Sequence, residues 1–408
     1  MSDRILFTNA TLFDGTGADP VPGASVVVHG ALIVDIGTGR RPAGRFAEVI
    51  DCAGGTLMPG LIDAHVHLGA IDVNIPQQRR RYPDSLAALK IGRIVEATLR
   101  QGYTTVRDAG GIDSGFRDAV AEGVLAGPRI AISGRSLTQT GGHGDMRDRT
   151  ENGIGCCGAT IGMSSHVCDG KSEIRKAVRE EIRLGADQIK VMASGGAMSP
   201  ADALDSTQYS VVELRTAVEE AEAAGRYVMA HAYTAAAIRN CVAAGVRSVE
   251  HGNLLDDDSA RLLADTGTYL VPTLSTYETL LEFGAEHGVP AANLAKLALA
   301  HEHGLDSVQI AHRQGVRIGS GSDLLGPLFV HKHRELALKA KVMGNRDALI
   351  SATRVNAEMM GLGAEIGTVT VGRQADLIVV DGDPLADIAV FAAEHPLRAV
   401  MTAGRLVS

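Results

Sequence analysis

The chain has 408 residues, a formal net charge of −9 at pH 7, 45% hydrophobic and 21% charged residues, the balance of an ordinary globular protein. Its length exceeds the usual ceiling for one compact domain, so a large domain with a smaller companion is expected. The negative charge, with Trp 0, Tyr 7 and Phe 7, excludes the basic face and the stacking surface of a general nucleic-acid binder.

The first residues, Met1-Ser2-Asp3-Arg4-Ile5-Leu6-Phe7, lack the basic start and apolar run of a signal peptide. No stretch approaches the ~20 apolar residues that span a bilayer, and the run at 25–35 is broken by His29 and Gly30. Five cysteines are an odd number for a disulfide framework. Reduced thiols in a cytoplasmic protein are expected.

The opening segment alternates short β-rich runs (5–7, 11–13, 25–28 and 31–34) with turns at Asn9, Asp14-Gly15, Pro22-Gly23 and His29-Gly30. The C-terminal segment has the same texture, with runs at 367–369, 375–380, 398–401 and 404–407. Residues 1–56 plus 367–408 are therefore expected to form one small β-sandwich domain built from both ends. Residues 57–366 repeat a different unit: an apolar strand, a Gly-bearing or polar loop, then an Ala/Leu/Glu/Arg-rich helix. Strands are expected at 61–67, 103–108, 129–133, 188–193, 227–231, 248–251, 269–273 and 317–320. Helices are expected at 86–100, 171–184, 211–224, 235–244, 257–264, 292–313 and 334–343. Such units predict an α/β fold, a (β/α)8 TIM barrel, whose typical length is about 250 residues. A doubly wound open sheet is the alternative, weakened by the lack of a glycine-rich phosphate fingerprint after the first strand. The Gly-, Asp- and Arg-rich insertion 138–170 follows the third strand, where a barrel carries its lids and substrate loops.

Chemistry concentrates at the expected strand ends. In Asp63-Ala64-His65-Val66-His67, strand alternation puts both imidazoles on one face, about 7 Å apart. His231 ends the fifth strand, His251 the sixth, and Asp323 follows the eighth. Four imidazoles and a carboxylate at one rim suit Zn²⁺, with Mn²⁺, Co²⁺ or Fe²⁺ as alternatives. Lys190 sits inside the largely apolar strand Gln188-Ile189-Lys190-Val191-Met192. An ammonium cannot ligate a metal and is costly to bury unpaired. Either a buried acid such as Asp63 or Asp187 pairs with it, or desolvation yields a neutral amine that reacts with CO2 to form a carbamate able to bridge two ions.

Taken in order, His65-x-His67, Lys190, His231, His251 and Asp323 resemble the amidohydrolase superfamily in its binuclear, carboxylated-lysine subtype. The lead-in Met58-Pro59-Gly60-Leu61-Ile62-Asp63-Ala64-His65 and the run Ala375-Asp376-Leu377-Ile378-Val379 extend the resemblance over the whole chain. The segments 103–111 and 140–145 resemble its Xaa-Pro dipeptidase and imidazolonepropionase-like branch. Members of that branch hydrolyse dipeptides or N-acyl amino acids, and relatives cleave ochratoxin or carbamate- and urea-type xenobiotics. The resemblance implies two divalent ions, carboxylated Lys190 between them, attack by a bridging hydroxide, and Asp323 as proton shuttle. It also implies contact of His143 and Tyr233 with the substrate carbonyl or α-carboxylate, and a symmetric homo-oligomer such as an octamer. The segment 323–333, with His331-Lys332-His333, departs from the His-Gly-containing pattern of ordinary members, so xenobiotic amides stand beside dipeptides as expected substrates.

Other residues were weighed against plainer roles. Arg147 and Arg149 are expected as a carboxylate clamp near His143, and His331 as a pocket residue. Arg79-Arg80-Arg81 reads as a solvated face, with contact to an anionic substrate from the loop after the first strand as the other reading. Cys156, Cys157, His166 and Cys168 lack the paired spacing of a zinc knuckle and read as packed thiols. His301 and His303 lie two apart on a helix and face different ways. A mononuclear deaminase or cyclic-amidine hydrolase would lack the bridging lysine. A non-catalytic binding protein would lack a ligand, and none is missing here.

Overall fold

The protein is described by a computed structural model over residues 4–39, 44–147, 150, 161–199 and 202–407. The two ends share one eight-stranded sheet. Its order is Arg405–Leu406, Leu397–Thr402, Leu377–Val380, Thr56–Pro59, Arg4–Leu12, Val21–His29 and Leu32–Thr38, with Glu48–Asp51 paired off Arg4–Leu12. The antiparallel register of Leu377 opposite Pro59 and Val379 opposite Leu57 joins the end of the chain to its beginning. Phe7, Val26, Val28, Leu57, Val379 and Met401 pack together beneath it. The runs at 5–7 and 11–13 belong to one strand whose register shifts between Phe7 and Ala10 and between Ala10 and Leu12. Residues 367–369 form a connection, with the Val369 N–H donating to Asp14 O at 2.9 Å.

The middle of the chain alternates strands and helices in parallel sheets. Leu61–Val66, Tyr103–Asp108 and Arg129–Ile132 form one sheet. Ser165–Val167, Ser136–Thr138, Ile189–Met192, Val228–Thr234, Ser248–Leu254 and Tyr269–Val271 form another. Apart from Arg129–Ile132 and Ser165–Val167 these strands are buried almost throughout, as parallel strands packed under helices must be. Main-chain hydrogen bonds run between the two sheets: the Asp187 N–H donates to Ile132 O at 2.7 Å, and the Ala64 N–H to Ser320 O at 2.8 Å. Residues 317–320, expected as the eighth strand, enter through a parallel bridge from Ile318 to Leu270. The seventh strand stops at Val271 because Thr273 turns left-handed, with φ of 49°.

Helix boundaries follow local chemistry. Ser210 and Glu213 form a reciprocal cap that opens Val211–Ala223, and Asp256 with Ser259 opens Asp257–Thr266. Besides the one-turn Asn356–Met359, three helices lie outside the expected set: Ile75–Arg81, Ser114–Ala121 and Leu274–Phe283. The last buries Ser275, Thr276 and Thr279 beside Tyr277 and Leu280, so polar and apolar positions alike face inward. Among the described residues, no helix is long and apolar enough to cross a membrane.

Candidate metal and catalytic centre

The C-terminal ends of the parallel strands bring the expected side chains together. His65 closes its strand with the ring wholly buried, and its Nδ1 lies 2.8 Å from Glu250 Oε2. His67 directs Nδ1 to Gly110 O at 2.6 Å. A carbonyl only accepts, so His67 Nδ1 carries a hydrogen, and Nε2, the atom left for a proton or a metal, lies 3.2 Å from Asp323 Oδ1. His231 directs Nε2 to Gly195 O at 3.0 Å, leaving Nδ1 bare. His251 contacts Thr273 Oγ1 through Nδ1 at 2.7 Å. The rings of His231 and His251 lie 4.4 Å apart, and those of His65 and His251 5.0 Å apart. The ligand atoms of His65, His67 and Asp323 lie within 4.8 Å of one another. One nitrogen of each ring is held by an oxygen while the other stays available, the arrangement a metal-binding imidazole needs.

Lys190 lies in the same cluster, 1% exposed, with Nζ 3.4 Å from His65 Nε2. The acids expected as its partners are engaged elsewhere: Asp63 with Lys332 at 2.7 Å, and Asp187 with Arg117 at 3.0 Å. Burial lowers the Lys190 pKa to about 8, against the opposing pull of Glu250 and Asp323. Burial and the neighbouring Lys190 charge push His65 well below the ordinary imidazole range. Burial also opposes the charged form of His67, but its hydrogen bond to Asp323 and the carboxylate charge outweigh that and raise its pKa. For Asp323 burial acts upward, and the charges of His65 and His67 win, so the carboxyl stays below its usual range.

Backbone geometry tightens the cluster. His251 and Asp323 adopt left-handed φ of 76° and 52°, a region that costs non-glycine residues energy and concentrates at functional sites. A Cβ on Gly321 would sit 2.5 Å from the His65 Cβ, so only glycine lets residues 320–323 pass this close.

His143 stacks on His231 with ring centroids 4.3 Å apart, and its Nδ1 lies 2.9 Å from Ser199 Oγ. Ser199 in turn donates to Asp202. Burial drives the His143 pKa down to about 4. Tyr233 stacks on His251 at 5.2 Å and accepts a hydrogen bond from Tyr277 Oη at 2.9 Å. All of these rings, with Lys190 and Asp323, line one cavity of about 1520 Å³.

Two expected substrate contacts differ from this picture. Arg147 borders the cavity, but its guanidinium is paired bidentately with Asp145, at 2.7 Å from Nε and 2.5 Å from Nη2. His331 stacks on Phe283 at 5.1 Å and is absent from the described lining of the cavity. Arg149, Cys156, Cys157 and the side chain of Arg79 lie outside the described residues. Cys168 is buried, its Sγ 3.3 Å from Tyr209 Oη.

Glu250, Arg107 and Tyr277 were not singled out in the sequence. Arg107, fully buried, donates to Ala64 O, Ser248 Oγ and Glu250 Oε1 at 2.7, 3.0 and 2.8 Å. The signal for the first two was a charged side chain inside a strand expected to be buried. Tyr277 sits in the helix Leu274–Phe283, outside the expected set.

Residues 56–407 match the amidohydrolase family. The chain belongs to that family. This amidohydrolase is 32% identical to the ochratoxinase of Aspergillus niger over 412 residues, covering 97% of the chain and 85% of the relative. Its structure superposes on a prolidase solved with N-methylphosphonate-L-proline at a TM-score of 0.96, with 43% identity and 99% of each chain covered. A solved Xaa-Pro dipeptidase with bound methionine gives 0.89 at 29% identity, covering 99% of this chain and 100% of that one. With these relatives, the amidohydrolase is an enzyme that hydrolyses amide bonds.

Proposed function

We propose that this amidohydrolase cleaves the amide bond of a dipeptide or N-acyl amino acid. The observation that carries the reading is the convergence of His65, His67, Lys190, His231, His251 and Asp323 on one cavity. The donor set fits divalent metal, with the second nitrogen of His67 turned to a carboxylate that stays ionised. Two divalent ions, Zn²⁺ first and Mn²⁺ or Co²⁺ as alternatives, would be held by His65, His67 and Asp323 on one side and His231 and His251 on the other. When bound, such ions supply hydroxide at neutral pH and polarise the amide carbonyl.

The chain's own residues supply the rest. Lys190 would take up CO2 through its neutral amine, forming an N–C bond and releasing a proton, and the resulting carbamate would supply an anionic ligand between the two sets. Burial supports this by favouring the neutral amine. Asp323 would accept a proton from the attacking oxygen and pass it to the leaving nitrogen. Because Tyr277 donates to Tyr233, the Tyr233 hydroxyl keeps its own proton for a substrate oxygen. Ser199 fixes the ring of His143 beside the same space.

The same reading makes 57–366 a closed (β/α)8 barrel and 1–56 with 367–408 a β-sandwich domain. The hydrogen bonds linking the two parallel sheets support the first, and the sheet shared by both termini supports the second. A second substrate reading, a xenobiotic amide of the ochratoxin type, is favoured by the cavity. At about 1520 Å³ and bordered by Ile112, Met146, Met163, Met198 and Leu280, it exceeds the roughly 300–1,000 Å³ of ordinary small-molecule sites. A cyclic-amidine hydrolase or deaminase ranks behind both, since Lys190 is present in the cluster.

Metal analysis and an amide panel test the proposal. About two ions per chain, with release of amino acid from Xaa-Pro dipeptides or N-acyl amino acids, is the expected result. One ion per chain favours the deaminase reading. No metal and no amide cleavage overturn the proposal.

A further inference from the structure

We propose that Lys332 and Asp63 are positioning residues that set the loop bearing Asp323. The inference rests on the role given to Asp323 above and concerns residues that do not face the cavity. Lys332 is 0% exposed, and its Nζ lies 2.7 Å from Asp63 Oδ2 and 3.0 Å from Ser322 Oγ. The rings of Phe329 and Tyr103 enclose the same ammonium at 4.9 and 5.5 Å.

The partner carboxylate does more than balance charge. Asp63 Oδ2 accepts from Ser322 Oγ at 2.6 Å, and Oδ1 accepts from the Ser322 N–H at 2.9 Å and the His65 N–H at 3.3 Å. The next residue closes the loop on the strand, the Asp323 N–H donating to His65 O at 2.8 Å. One carboxylate therefore ties together the two main-chain segments that carry His65 and Asp323. Asp323 is held at a left-handed φ of 52°, a conformation that persists only where surrounding contacts over-determine it. Lys332 adds a third side chain to this tie, donating to both the Asp63 carboxylate and the Ser322 hydroxyl. A displacement of about 1 Å in a proton-transfer group can cost about 100-fold in rate, so a device that fixes Asp323 bears on turnover rather than on substrate affinity.

The test compares Lys332→Met with the double variant Asp63→Asn/Lys332→Met, which removes both buried charges and keeps the fold accessible if the single variant does not fold. In the proteins as purified, hydrogen exchange over residues 320–325 is followed by mass spectrometry. With Co²⁺ loaded, kcat, KM and the visible absorption of the metal are measured. Both variants should exchange about 10-fold faster in this segment alone and lose about 10- to 100-fold in kcat, with KM within about 2-fold and an altered cobalt spectrum. Wild-type exchange, kcat and spectrum in the double variant would mean that the pair only balances charge, and would overturn the inference. Wild-type protein that binds no cobalt and cleaves no amide defeats the functional reading, while the exchange measurement still decides the positioning claim.

Discussion

Two buried lysines approach the same strand, Leu61–Val66, two residues apart and under opposite electrostatic regimes. Lys332 meets Asp63 with a carboxylate at 2.7 Å and a hydroxyl at 3.0 Å. Lys190 meets His65, an imidazole at 3.4 Å, and no ion pair ties it to a carboxylate among the described residues. The first is a compensated charge, which a protein can bury when its partners saturate it. The second is a desolvated amine with its pKa brought down to about 8, the state of a lysine available for chemistry. Burial alone thus says little about a lysine; the identity of its nearest oxygen decides what it can do.

Asp323 is where the two environments meet, since its neighbour Ser322 is bound to Asp63 and its own carboxylate faces His67. Asp323→Asn should keep the fold, read by circular dichroism, and lower kcat by about 10³-fold, within the range for a lost general acid-base group. Near-wild-type turnover would remove Asp323 from proton transfer. Lys190→Ala should lower metal content and activity together by at least about 10²-fold, with partial recovery on adding acetate or propionate, which restore a bridging carboxylate. If added carboxylate restores neither metal nor activity, Lys190 serves as a charge rather than as a bridge.

Much of this was legible in the sequence, for a physical reason. Ligand-type residues in parallel strands stand out against apolar neighbours, so His65, His67, Lys190, His231, His251 and Asp323 could be read one strand at a time. The partners of those residues could not. Lys332 was visible within His331-Lys332-His333, yet its carboxylate is 269 residues away in the chain, and interest fell on His331, which stacks on Phe283 instead. Glu250 was read only as the residue before His251. Thr273 was read as the last residue of a strand, and its left-handed turn toward His251 follows from packing that no local pattern encodes.

Glu250 sharpens the contrast from the imidazole side. It accepts from Arg107 and holds the Nδ1 of His65, so that Nε2 faces Lys190. Glu250→Gln should weaken metal binding about 10- to 100-fold, the usual cost of losing such a support, as read by titration calorimetry. Unchanged affinity would show that the His65 ring is oriented by packing alone. The Lys190 pKa gives a gentler handle. The neutral amine falls from about half of the protein at pH 8 to about a tenth at pH 7, so CO2-dependent reconstitution of metal-free protein at fixed dissolved CO2 should slow about 5-fold between these values. The unfolded chain keeps this proton into the ordinary lysine range, while the folded chain releases it near 8. Metal-free protein should therefore gain stability as pH rises above 8, which thermal melts across that window would register.

The smallest effect is expected where a cation is already satisfied, as Lys332 is. Arg147 borders the cavity, and Asp145 occupies its guanidinium in the two-pronged geometry that a substrate carboxylate would otherwise use. The Arg147 interaction also holds the Asp145 carboxyl below its usual pKa range, against the upward push of burial. A substrate anion would have to displace an ionised side chain two residues away, at high effective concentration. Arg147→Ala should accordingly change KM for an N-acyl amino acid by less than about 3-fold, whereas loss of a bidentate carboxylate contact of about 1.5–3 kcal/mol would raise it about 10- to 150-fold. A rise of that larger size, with kcat preserved, would show that the Asp145 pair opens to receive substrate, and that pairing in the resting structure does not remove a cation from function.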